Sequence, residues 1–541
     1  MAHRFNSKKL TVICAVMALA FLFSAGSVLG GEKVPAIELI TTTEAYDPIR
    51  YETAFLIADS WKQLGLDVNV RPMEFSTILQ RFYNEQDFDM VILGWSGRVE
   101  RLDPQHFLGT LHSGQSTLGG NNPGGYNNPE YDALFDAQQA EFDVQERREL
   151  VLKAQKIAMA DQPVDILFYR DEVVAYNSAR FANPVVMAGE AFYNEWMPYS
   201  IKPLGDKKIL TIATQQEPDT INPLASTSVW GWKFMRMVYD KLVRLSPNIE
   251  PLPSAAESFH DVDETTVEVV LRKGMTFHDG KPVTAEDVKF SYDYFISNDF
   301  PYFRPFLSVL ESTEIVGEDR LRFNLKSPFA PFITVTLTQI PILPKHLWEG
   351  IEEPDQLAPE AIPTVGSGPF VFDRYERGQY KRILKFADHY MAEEMEIEGM
   401  DYMIYADAEG VLTGLLTGQA DMSAWRLEPG QIPLAEQNPD ITVVAVPDFG
   451  YYHSTYNLRR APFDDRDFRR AVAHAVNKGT IIDVLLSGRG EPGNSVIAPV
   501  NGFWHNPDVE IFDFDLEKAK SLLKEAGYTW DEAGKLHFPK K

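Results

Sequence analysis

AIELITTTEAYDPIRYETAFLIADSWKQLGLDVNVRPMEFSTILQRFYNEQDFDMVILGW, residues 36–95, is the stretch that decides the fold. AIELITT (36–42) is a β-branched run that reads as a strand. YETAFLIADSWKQLG (51–65) has helical spacing, with Gly65 as its stop. DVNVRPM (67–73) reads as a strand, FSTILQRFYNEQ (75–86) as a helix, and FDMVILGW (88–95) as a fully apolar strand. A β-α-β-α-β run of this kind predicts an α/β sheet. The last strand empties into residues 96–126, rich in Gly, Asn, Ser and Pro. Binding loops leave the carboxyl ends of strands in such sheets, so this loop is a binding-site candidate.

The same alternation continues outward. KPLGDKK (202–208) reads as a linker, and KILTIATQ (208–215) starts a new strand. Residues 265–295 read as strand, turn and helix, with Thr284 as N-cap and Asp287 three residues on. Residues 464–488 read as helical, and DLEKAKSLLKEAG (515–527) as an amphipathic helix capped by Asp515 and stopped at Gly527. GKLHF (534–538) alternates like a strand, whose backbone groups need a partner. No internal repeat or low-complexity tract is visible.

At 541 residues the chain has room for roughly three or four structural units. Apolar residues make up 44% and charged residues 24%, which argues against wholesale disorder. The 51 Lys and Arg against 78 Asp and Glu leave a net charge of -27, without the basic footprint of a nucleic-acid binder. Cys14 is the single cysteine, so thiol catalysis, Cys-ligated zinc, iron–sulfur clusters and disulfides are not expected of the mature chain. Residues 1–30 have a basic head, an apolar stretch from about Leu10 to Phe23 and small residues after it. This is the layout of a secretory signal peptide, with cleavage after Gly26 or Gly30. The expectation is therefore a periplasmic, exported, soluble protein. There is no HExxH, GxSxG, Walker loop or GxGxxG, and His106, His112 and His278 lack metal-ligand spacing. Neither a cofactor nor a metal is expected, and catalysis has no motif to carry it.

Six segments carry a resemblance: GYNNPEYDALFDAQQ (125–139), VYDKLVRLSPNIEPLPSAAESF (238–259), FHDGKPVTAEDVKFSYDYF (277–295), VGSGPFVFDRYERGQ (365–379), APFDDRDFRRAVAHAVNK (461–478) and FDLEKAKSLLKEAGY (514–528). Together they resemble extracellular solute-binding protein family 5, the dipeptide-, oligopeptide- and nickel-binding components of ABC importers. The order of segments departs from the family. A segment like KKILTIATQQEPDTINPL usually opens the mature chain but here begins at Lys207, and residues 32–205 resemble the family's carboxyl-terminal third moved to the front. The resemblance thus implies a circularly permuted order, with 36–41 and 534–538 pairing as antiparallel strands.

The implied fold is α/β and two-lobed, like periplasmic binding proteins, with an extra subdomain. Lobe II would combine 32–165 with 449–541, and lobe I would combine 166–244 with 360–448. Residues 245–359 would be the extra subdomain of lobe I, and crossovers near 165–175 and 446–452 the hinge. The implied function is an exported receptor that encloses a small polar solute, a peptide or peptide-like molecule. As a monomer it would deliver that solute to an ABC permease in the membrane. The alternative is an exported hydrolase acting on a similar substrate.

The resemblance also implies site residues. In peptide-binding relatives the third residue after the Trp of GWSGR is an aspartate that pairs with the ligand's free amine, and here it is Arg98. A guanidinium suits a carboxylate or phosphate instead, unless Arg98 is tied to Glu100 or simply solvated. Trp95, Ser96 and Gly97 precede it on the same loop. Tyr451, Tyr452 and His453 lie at the implied hinge, Trp425 and Arg426 follow a cleft-facing turn, and Trp230 and Trp232 either line the cleft or pack a helix. Asp103 reads as a turn residue before Pro104, and Gly366, Ser367 and Gly368 as a structural turn.

Overall fold

The structure is a computed structural model that describes residues 31–98, 101–300 and 302–540. The signal-peptide reading of residues 1–30, Cys14 and the pairing of Arg98 with Glu100 fall outside the described residues. Twelve strands form one large sheet and are numbered here in chain order: β1 Ile37–Thr42, β2 Val68–Met73, β3 Met90–Trp95, β4 Val164–Asn177, β5 Ile209–Thr214, β6 Phe370–Glu376, β7 Tyr380–Lys385, β8 Gly399–Ile404, β9 Met422–Ser423, β10 Ile441–Pro447, β11 Tyr451–Tyr456 and β12 Gly490–Pro492. Their order is β6-β7-β8-β5-β9-β4-β11-β3-β1-β2, with β10 and β12 also paired to β4.

The opening β-α-β-α-β run forms as read. Both β2 and β3 lie parallel to β1, on opposite edges of it. The first helix is Pro48–Lys62, capped by the Asp47 side chain. The second, Phe75–Leu79, widens into a π-helical turn over Gln80–Glu85. Because β1 has both edges taken, it cannot pair with residues 534–538. That pairing uses residues 31–34 instead: Val34 N–H donates to Leu536 O at 2.9 Å and Phe538 N–H to Glu32 O at 2.9 Å. Asp67 ties the two segments together by ion pairs to Lys33 at 2.9 Å and Lys535 at 2.5 Å. The expected helix over 464–488 is two helices, Arg466–Ala473 and Lys478–Leu485, the second restarted by the Asn477 cap.

β4 is the longest strand of the sheet. Its first half pairs with β11, Thr455 opposite Val164 and Tyr452 opposite Phe168, while its second half pairs with β10, Pro447 opposite Asp171. β10 and β11 are therefore consecutive along one edge of β4, interrupted at Asp448, Phe449 and Gly450. The apolar cores divide at the same level. One holds Val34–Phe168 and Tyr452–Leu536 residues, the other residues from Val174 to Val446. We call these the terminal and the central lobe. A four-stranded antiparallel sheet, with the helix Ala285–Ser297, adds Val267, Val269, Tyr292 and Phe295 to the central core. That helix carries the expected Thr284–Asp287 capping box.

Two predictions follow from the strand crossing and from the paired ends. A Cβ on Gly450 would stand 1.9 Å from the Trp95 carbonyl, whereas one on Gly205 would meet nothing within 4 Å. Gly450→Ala should destabilise the protein by about 1–3 kcal/mol in denaturant unfolding, and Gly205→Ala by less than about 0.5 kcal/mol. Equal effects would contradict the tight crossing. Residues 204–206 are exposed. A chain of residues 31–540 joined from 540 to 31 and opened between Gly205 and Asp206 should fold with a Tm within about 5 °C of the parent. Failure to fold would show that the 202–208 connection is integral and the permuted order wrong.

Candidate functional site

Two cavities open between the lobes. The first, about 290 Å³, is lined from the terminal lobe by Trp95, Ser96, Arg98 and Arg101 beyond the end of β3, and by Arg50, Phe75 and Tyr83 of the neighbouring helices. The strand crossing supplies Arg170 from the middle of β4 and Asp448, Tyr451, Tyr452 and His453 from the β10–β11 break. The second cavity, about 460 Å³, is lined by Trp230, Trp425, Gln215 and Gln216 of the central lobe. Tyr46, Arg50, Arg170, Arg426 and Tyr452 line both, so the two cavities meet there. A separate groove of about 640 Å³, walled by Phe142, Ile249, Phe503 and Trp504, shares no residue with either.

The first cavity is lined by five arginines and one carboxyl. Arg426 is neutralised by Glu172 at 2.5 Å. Arg50 faces Asp47 at 3.2 Å, but the Tyr452 hydroxyl also donates to that carboxylate at 3.0 Å. Arg170 donates to the Tyr452 hydroxyl at 3.3 Å. Arg101 donates to the Ser96 carbonyl at 2.7 Å and sits 4.7 Å from the centre of the Trp95 ring. Burial, and then the like charge of Arg98, pull the Arg101 guanidinium down to about 9. Arg50 Nη1, Arg98 Nε and Arg170 Nε are buried without a hydrogen-bond partner among the described residues. An unsatisfied buried donor is costly, and a bound acceptor would relieve it.

Asp448 accepts from the Gly450 N–H at 3.1 Å. Burial, reinforced by Glu172 and opposed by Arg426, pushes its carboxyl up to about 7. His453 is held neutral: burial and then Arg50 depress it to about 3, and its Nδ1 lies 3.0 Å from the Thr455 hydroxyl. Among the described residues no group of three His, Cys, Asp or Glu side chains is placed to hold a metal ion.

Of the residues singled out in the sequence, Trp95, Ser96, Arg98, Tyr451, Tyr452, His453 and Arg426 line the first cavity. Trp230 and Trp425 line the second, with ring centres 4.9 Å apart at 62°. Gly97 lines neither. Its backbone abuts the β10–β11 break, where a Cβ would stand 1.7 Å from Asp448 Oδ1. Trp232 is core: it stacks on Tyr302 at 4.8 Å and donates to the Ser226 carbonyl at 3.0 Å. Asp103 caps the helix Pro104–Gly109 and is bonded twice by Arg147, at 2.9 and 2.6 Å. Gly366 and Gly368 press on the Val238 backbone, and His278 bridges them. Sequence reading passed over Arg50, Arg101, Arg170 and Asp448. Only Arg170 carried a signal, a cation directly after the apolar run ILFY (166–169) of a strand.

No helix among the described residues is long and apolar enough to cross a membrane. The chain matches the sequence profile of bacterial extracellular solute-binding proteins, family 5, over residues 18–118 and 250–541. It is 29% identical over 326 residues to the oligopeptide-binding protein AppA of Bacillus subtilis, covering 59% of each chain. It is 27% identical over 343 residues to the dipeptide-binding protein of Escherichia coli, covering 59% of this chain and 63% of that one. The chain thus spans about three-fifths of the length of these curated relatives. Among solved structures, the ABC transporter substrate-binding protein CtaP of Listeria monocytogenes aligns with a TM-score of 0.51 at 23% identity. That alignment covers 60% of this chain and 66% of that one, and it supports a shared two-lobed α/β fold. The described fold and these matches place the chain in family 5 of the bacterial extracellular solute-binding proteins.

Proposed function

We propose that the protein is the receptor of an ABC importer. It encloses a small polar solute, a peptide or peptide-like molecule, between its lobes and delivers it to a membrane permease. One observation carries this reading: the aromatic and guanidinium groups of both lobes face one cleft, and the lobes are joined by adjacent strands that can flex as a hinge. Closure is driven by contacts made only when solute bridges the lobes. No bond of the solute is made or broken, which separates this reading from an exported hydrolase. The receptor acts in the periplasm after removal of residues 1–30, as a monomer.

The site reading is part of the proposal. Trp95, Tyr451, Tyr452, Trp230 and Trp425 supply flat apolar faces, while Ser96, Arg98, Arg426 and His453 supply polar contacts. The permuted order is proposed as well. It is supported by the antiparallel pairing of residues 31–34 with 536–538, which brings the two ends of the described chain together.

The receptor reading is tested by native mass spectrometry of the protein purified from the cell envelope. The expected spectrum shows one solute per monomer, released at unchanged mass after prolonged incubation. Release of cleaved fragments would support the hydrolase instead. The hinge carboxyl gives a pH test. Its pKa is raised in the folded state, so its stabilising contribution is full below about pH 4 and is lost as pH rises through about 7. Asp448→Asn should therefore unfold close to the parent at pH 4 and at a higher temperature than the parent at pH 8. A constant offset at both pH values would contradict the assignment.

A further inference from the structure

The solute's charge class can be read from how the arginines are distributed. Arg98 and Arg101 line the first cavity only, whereas Arg50 and Arg170 stand where the two cavities meet. At the first position no described carboxylate pairs with either guanidinium. Their neighbours are the Ser96 carbonyl, the Trp95 ring and the Tyr302 phenol, so two like charges lie together in a buried place. At the second position Arg426 is already matched to Glu172, and Asp47 is shared between Arg50 and Tyr452. Arg170 is 7% exposed, and its Nε has no partner. Asp448 lines the first cavity with both groups, and it interacts electrostatically with Arg101, Arg170 and Arg426. Among the described residues, two partly or fully buried places thus hold excess positive charge and unused N–H donors, in a chain whose net charge is -27. Guanidinium pairs of this kind match the oxygens of carboxylate or phosphate.

We infer that the cleft takes a solute with two separated acidic groups, one bound at Arg98 and Arg101 and the other at Arg50 and Arg170. The inference rests on the receptor reading and names the class of its solute. An ammonium group placed at either position would meet like charge. An acidic peptide with a blocked amine fits, as does any small organic acid carrying two oxyanion groups with an apolar or hydrogen-bonding span between them.

The test uses the mature chain and isothermal calorimetry with four tripeptides: N-acetyl-Glu-Tyr-Glu-amide, whose only acids are its two side chains, its counterpart with one side-chain carboxylate amidated, the fully amidated N-acetyl-Gln-Tyr-Gln-amide, and free-amine Lys-Tyr-Lys. The acidic peptide should bind at least ten-fold more tightly than the singly amidated one, and Lys-Tyr-Lys should be weakest. Arg98→Gln and Arg170→Gln should each bring the acidic peptide down to the level of the singly amidated one. Arg98→Asp should shift preference toward Lys-Tyr-Lys, a readout that a loss of fold would not give. Equal binding of the acidic and amidated peptides, or tightest binding of Lys-Tyr-Lys by the parent, would overturn the two-acid inference and leave the receptor standing. If none of the four binds to the folded parent, the two-acid inference fails. The receptor reading fails with it only if the envelope-purified protein also carries no solute.

Discussion

The structure depends on one antiparallel pairing, that of β4 with the consecutive strands β10 and β11. It runs from Val164 to Asn177 and passes out of one apolar core into the other. The β10 ladder is regular, the β11 ladder shifts register once, between Tyr452 and His453, and both are backed by packed side chains. Between them the partner strand breaks at Asp448, Phe449 and Gly450, and the register slips. A break in an otherwise continuous ladder is where a sheet can bend without losing its pairing on either side. The same break turns Asp448, Tyr451, Tyr452 and His453 toward the space between the lobes, so in the proposed reading hinge and binding wall are one feature. Gly97 and Gly450 are required because β3 and the break approach within backbone contact.

Electrostatics then decides what the space can hold. The protein surface is strongly acidic, yet the cleft gathers guanidinium groups at a depth where water cannot solvate them fully. Some are balanced internally, Arg426 by Glu172 and Arg50 in part by Asp47. Others retain unused donors. Desolvated cations with unmatched N–H groups raise the energy of the empty cleft, and an oxyanion lowers it. In the proposed reading this is preorganisation for binding. The raised Asp448 carboxyl is the counterpart of the same burial.

Much of the fold was legible because period and punctuation are local. The run 36–95, the Thr284–Asp287 box and the Asp515 and Gly527 helix limits could all be read residue by residue. What could not be read depends on which edges are free. The partner of 536–538 turned out to be 31–34, because β1 already had two neighbours. The site divides the same way. Trp95, Arg98, Tyr451 to His453, and Trp425 with Arg426 carried motif context. Arg50 and Arg101 looked like ordinary surface charges, and only folding brings them beside Arg170. Trp232 stands two residues from Trp230 on one short helix, a spacing that points the two rings apart, one to the cleft and one to the core.

The central claim is that the solute lies between the lobes, against the strand crossing. A crystal structure of the protein purified with its natural solute tests this most directly. The account predicts solute density touching Tyr452 and reaching both Arg98 and Arg170. Density confined to the separate groove between Phe503 and Ile249, with the inter-lobe cleft holding only water, would contradict it.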